Sequence, residues 1–163
     1  MTITTVYDFQ KGKSTNNWRI VDDGVMGGLS KGNLTVDDEG HGVFSGVVSL
    51  ENNGGFSSLR YRFNDISVEN VNKVVLRVKG DGKNFQFRVK DKRNQYHSYI
   101  YEFETSGKWQ NIEIPLKNMY PSFRGRKLSI PNFNHSQIEE IAFLIGNKKA
   151  ESFELKIDKI YIK

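Results

Sequence analysis

Apolar residues recur at every second position through much of this chain. Leu59, Tyr61 and Phe63 alternate with Ser58, Arg60 and Arg62. Val74, Leu76 and Val78 alternate with Val75, Arg77 and Lys79, and Phe85, Phe87 and Val89 alternate with Gln86, Arg88 and Lys90. Successive side chains of a strand point to opposite faces, so each segment has one apolar face and one wetter face. Further strands are expected at Val6 to Phe9, Trp18 to Val21, Val43 to Leu50, Tyr96 to Phe103, Lys108 to Ile114, Ile141 to Ile145 and Phe153 to Ile162. Turn chemistry separates them: Asp23-Gly24, Gly27-Gly28, Asn53-Gly54-Gly55, Gly80-Asp81-Gly82 and Ser106-Gly107. Ser136 to Glu140 alone reads as a helical turn. No helix of the length a parallel α/β fold requires is visible. The pattern predicts an all-β fold, a two-sheet antiparallel β-sandwich formed as one domain over residues 1–163. In the last strand the apolar phase changes around Asp158-Lys159, which predicts a bulge or a strand covered on both faces.

A chain of 163 residues can bury a core without a disulfide or a metal. It has no cysteine, which excludes thiolate zinc sites and cysteine catalysis. The start, MTITTVYDFQ, carries no secretory apolar region, and no apolar run approaches a membrane span, so a cytoplasmic location is expected. The net charge of +5 falls entirely in residues 81–163, but the basic residues are spaced between apolar ones and no run exceeds two. That spacing reads as a solvated strand face, and a nucleic-acid partner is not expected.

Three segments could carry chemistry. The first holds Asp22, Asp23, Met26, Gly27 and Gly28. Its carboxylates could bind a cation or accept hydrogen bonds, or simply shape the turn, and its acids make it a poor phosphate cradle. The second runs from Leu50 to Arg60, with Glu51, Asn52, Asn53 and Arg60. The third is Phe123-Arg124-Gly125-Arg126, whose two guanidinium forks suit bidentate binding of carboxylates, including those of the first segment. Trp18 and Trp109 are expected in the core. His41, His97 and His135 are isolated and lack metal-ligand spacing, and Ser57 and Ser58 stand in no nucleophile motif.

The stretch from Val21 to Ser30, the stretch from Ser49 to Arg60, the box Phe123 to Arg126 and the ending Ile141 to Gly146 with Asp158 together resemble the complex I intermediate-associated protein 30 family over nearly the whole chain. The resemblance implies a galactose-binding-like jelly roll and a stand-alone, bacterial-type member. It also implies a binding or assembly module related to NADH:ubiquinone oxidoreductase assembly, with no catalytic residues to carry over. The expectation is a non-catalytic module without cofactor or metal. It would recognise a protein partner (complex I subunits or assembly intermediates among the candidates) or a small polar ligand, through Asp22, Asp23, Met26, Gly27, Gly28, Glu51, Asn52, Asn53, Arg60, Arg124 and Arg126 gathered at one end of the sandwich. A carbohydrate-binding module is the alternative. Glycosidase chemistry on Asp22, Asp23 and Glu51 and nucleic-acid binding by the basic half are the lesser rivals.

Overall fold

The computed structural model describes residues 3–163, with the side chains of Val25 and Met26 excepted; the expectation placed on Met26 therefore lies outside the described side chains. The strands are β1 (Thr4–Asp8), β2 (Trp18–Asp22), β3 (Lys31–Val36), β4 (Gly42–Val48), β5 (Ser57–Ser67), β6 (Lys73–Lys79), β7 (Asn84–Lys90), β8 (Ser98–Glu104), β9 (Trp109–Pro115), β10 (Tyr120–Phe123), β11 (Arg126–Lys127), β12 (Gln137–Ile145) and β13 (Glu151–Ile162). Short 3-10 turns occupy Asp23–Met26, Glu51–Asn53 and Leu116–Asn118. The all-β expectation holds. No helix is long and apolar enough to cross a membrane.

Two antiparallel sheets form. The first runs β3-β4-β13-β6-β9, with β1 also pairing with β13; the second runs β11-β10-β8-β7-β12-β5-β2. The apolar parity of each strand faces the gap between them. Phe44, Leu76, Ile114, Leu155 and Ile157 meet Leu59, Phe85, Phe87, Phe143 and Ile145 there, all fully buried or nearly so. At one side of this core, Trp18 stacks on Phe9 and Tyr61, as expected for a core tryptophan. Trp109 is only half-buried and packs against the ring of His41 and under Arg77.

Two irregularities set the phase. The register of β13 against β6 shifts between Ile157 and Lys159, which is the bulge that the alternation predicted. It keeps Ile157 and Ile160 both in the core. The register of β12 against β5 shifts between Ile138 and Glu140. Ile138 and Ile141 both face the core as a result, and Glu140 is turned onto the outer face of the second sheet. The helical turn expected over Ser136 to Glu140 is instead the start of β12. Pairing with β5 at Gln137 and Ile138, joined by β7 from Glu140 onward, overrides the local polar sequence.

Candidate functional site

The two acid-bearing loops meet. β2 ends at Asp22, and the chain turns at Asp23. Asp22 accepts hydrogen bonds from the Ser57 hydroxyl (2.5 Å) and from the Gly32 amide (2.9 Å). It thereby ties β5 of one sheet to β3 of the other. Asp23 is fully buried. Its Oδ2 accepts from the Ser30 hydroxyl (2.5 Å) and from the amides of Gly55 (2.6 Å) and Phe56 (3.3 Å), and its Oδ1 from the Ser30 amide (3.0 Å). A β-carbon at Gly28 or Gly54 would collide with the Asp23 side chain, which explains glycine at both places. Burial pushes the Asp23 carboxyl up, and the hydrogen bonds from Ser30, Gly55 and Phe56 outweigh it, so its pKa lies below the ordinary carboxylate value. Both carboxylates are thus engaged inside the protein. Gly27 takes the left-handed conformation that closes the turn (φ 88°). Glu51, Asn52 and Asn53 are exposed on a short turn, where the two asparagines adopt positive φ.

The third loop is elsewhere. Arg124 and Arg126 belong to the β10–β11 hairpin, at the opposite edge of the second sheet from β2. Five strand steps separate β10 from β2, about 24 Å at ordinary strand spacing. The expectation that all three loops share one site is therefore corrected: sheet order, which charge attraction cannot change, holds the arginine hairpin away from the acids. Arg124 instead lies over the Phe123 ring, beside exposed Tyr96.

Arg60 leads to a different surface. Directly opposed residues on antiparallel strands point to the same face. The registers place Arg19, Arg60, Ala142, Arg88, Ile100 and Tyr120 in one row across six strands, on the outer face of the second sheet. Arg62, Glu140 and Lys90 form the row on one side of it, and Val21, Ser58, Leu144, Gln86 and Glu102 the row on the other. Five cations thus share this open face with two carboxylates, and both carboxylates are engaged. Glu140, 3% exposed, accepts from Arg62 Nε at 2.7 Å, and Glu102 accepts from the Tyr120 hydroxyl at 2.8 Å. Among the described residues, Arg19, Arg60 and Arg88 have no carboxylate within salt-bridge distance.

Arg60 and Arg88 are oriented alike. Each is half-buried, and each donates its Nε to the residue two positions earlier on its own strand, Arg60 to Ser58 Oγ (3.2 Å) and Arg88 to Gln86 Oε1 (3.0 Å). Ala142 and Leu144 on the intervening strand, and Ile100 beyond Arg88, are buried although they point away from the core. Burial, and then the charge of Arg60, pull the Arg88 guanidinium down to about 10, still cationic at neutral pH. Burial also lowers Arg60 and Lys90, with Glu140 opposing the shift in both. Burial and the Glu102 carboxylate raise Tyr120 to about 12. Of these residues, sequence reasoning singled out Arg60 alone. The signal for the others was present, since Arg19, Arg62, Arg88 and Lys90 share the outward parity of their strands, but the strand order that assembles them was not.

The histidines are less isolated than their spacing suggests. The Tyr99 hydroxyl lies between His97 Nε2 (3.3 Å) and His135 Nε2 (2.8 Å), and His135 Nδ1 is 3.5 Å from Asp91 Oδ2. Burial and then Asp91 raise the Tyr99 pKa. Among the described residues no group of three or more histidine, aspartate or glutamate side chains could hold a metal ion.

Residues 7–157 match the family model described as complex I intermediate-associated protein 30. Among solved structures, the chain is similar to the family 11 carbohydrate-binding module of the cellulosomal cellulase Lic26A-Cel5E of Clostridium thermocellum. The two are 18% identical, with a TM-score of 0.72 over 99% of this chain and 94% of that one. The same family's module in complex with a β-1,3-1,4-mixed-linked tetrasaccharide matches at 16% identity and TM-score 0.71, over 98% and 94% of the two chains. The agarase AgWH50C matches at 13% identity and TM-score 0.65, over all of this chain and 24% of that one. At these identities the likeness establishes the jelly-roll sandwich fold.

Proposed function

The chain belongs to the complex I intermediate-associated protein 30 family, and from that premise we propose that it is a non-catalytic, assembly-related recognition module that binds a protein partner on the open face of its second sheet. One observation carries this reading: Arg60 and Arg88 are half-buried and cationic with no carboxylate partner among the described residues. A partly desolvated charge without a counter-charge is costly to a monomer and is relieved by a complementary ligand. The family's description supports a partner among complex I subunits or assembly intermediates. The Asp22–Asp23 junction then serves as the brace that fixes β2 and β5 beneath the face.

The test is affinity capture from the native host with the wild-type protein and an Arg60→Glu/Arg88→Glu variant, read by mass spectrometry. Complex I subunits recovered by the wild type and lost by the variant are the expected result. Equal recovery by both proteins would move recognition off the open face.

Carbohydrate binding is the second reading, favoured by the likeness to carbohydrate-binding modules and by an amide-lined hollow of about 110 Å³ beside the row, formed by Asn84, Gln86, Glu102, Leu144 and Asn147. Against it, Tyr120 is the one aromatic side chain in the three rows described, whereas Trp18 and Tyr61 are committed to the core. A glycan array separates the two readings.

A further inference from the structure

We propose that Arg60 and Arg88 form a two-fork clamp over Ala142 that takes the carboxylates of an acidic segment of a partner protein. The proposal rests on the open-face reading above and names the chemistry of the partner.

Ala142 is directly opposite Arg60 on one side and Arg88 on the other. The two arginine backbones are therefore two strand spacings apart, about 10 Å. Ala142 is the smallest side chain of the row and projects least between the two arginines. The Nε of each guanidinium is already committed, to Ser58 and to Gln86. That bond fixes the plane of the fork and leaves the terminal Nη groups without a protein hydrogen-bond partner among the described residues. A fork held in plane with its two Nη groups unspent suits bidentate capture of a carboxylate. The other basic residues of the face are used differently. Arg62 is bound to Glu140, and Lys90 Nζ donates to the Gln95 carbonyl (2.9 Å). Arg19, exposed and directly opposite Arg60, extends the cationic row by one strand, so the ligand is better matched by several carboxylates in succession than by one. The scarcity of aromatic platforms on the face favours such a segment over an acidic glycan.

Calorimetric titration with a short oligoglutamate peptide, with polygalacturonate and with a neutral mixed-linked β-glucan tests this. The key variant is Arg60→Lys/Arg88→Lys, which keeps the charge and removes the forks. Circular dichroism and a melting curve establish that it is folded, and Arg124→Lys is the control at the distant hairpin. Oligoglutamate should bind the wild type and the control equally. It should bind the double variant roughly ten- to a hundred-fold more weakly, the equivalent of losing about one charge-assisted hydrogen bond. Undiminished binding by the double lysine variant would reduce the site to diffuse charge and overturn the clamp. Absence of oligoglutamate binding, or tighter binding of polygalacturonate, would overturn the assignment of a protein segment. If complex I subunits are captured by the wild type and the double lysine variant alike but lost by the double glutamate variant, the open-face reading stands and the clamp fails.

Discussion

Replacing Asp23 by asparagine changes one atom's chemistry and little volume, so its effect isolates the role of the carboxylate. The Asp23 carboxylate accepts four hydrogen bonds from Ser30, Gly55 and Phe56 and donates none. An asparagine amide can place its oxygen toward one set of donors, but its NH₂ then faces another N–H. If the oxygen occupies the Oδ2 position, the Ser30 amide is left without an acceptor, which costs about 1–3 kcal/mol. The remaining bonds lose charge assistance, which roughly halves their strength. Together the loss should be about 3–5 kcal/mol, the scale seen when a buried charge network loses a member. For a domain of this size, that lowers Tm by about 6–20 °C. Urea unfolding followed by tryptophan fluorescence gives the free energy directly. The pH dependence is a second check. The folded pKa of Asp23 is depressed, so its stabilisation is fully present above the unfolded carboxylate value and is lost as pH falls through the folded one. The gap between wild type and variant should therefore narrow in acid. A loss below about 1 kcal/mol at neutral pH, comparable to an exposed polar contact, would refute the claim that this carboxylate holds the junction.

Gly54→Ala should destabilise the protein by about 1–3 kcal/mol, because the added methyl meets both Asp23 and the Ser49 carbonyl, whereas Gly24→Ala, with open space around it, should be near neutral in the same urea assay. Glu140→Gln removes the counter-charge of Arg62. With Glu140 buried and Arg62 partly exposed, the expected cost is about 1–3 kcal/mol, between the surface and buried limits for ion pairs. In an ultraviolet difference titration, Tyr7, Tyr99 and Tyr120 should ionise above the ordinary tyrosine range, Tyr120 at about 12. Raised folded pKa values stabilise below the unfolded value near 10 and cease to do so as pH rises through the folded ones, so melting temperature should fall in that alkaline window.

By itself the order of residues determined the strands, their apolar faces and the turns between them. Alternation is a local property of the pleated chain, and it identified most of the second sheet's strands and the bulge in β13. It failed where a strand carries little apolar content. β3 lies at the edge of its sheet with only Leu34 and Val36 as large apolar residues, and β10 and β11 are too short to show a period. The contact between the Asp22–Asp23 turn and the loop after Leu50 follows from adjacency of β2 and β5, which the loop chemistry hinted at.

Tertiary structure alone decided which wet faces came together. Arg19, Arg60 and Arg88 are separated by up to 69 positions along the chain, and their alignment depends on β12 inserting between β5 and β7. Glu140 reached that face through the register shift before it, where continued alternation from Ile138 would have turned it inward. The same sheet order carried Arg124 and Arg126 to the far edge. The physical reason is one of range. Side-chain parity is set by neighbouring peptide units, whereas the order of strands is set by which apolar faces can be buried together, a choice made over the whole chain.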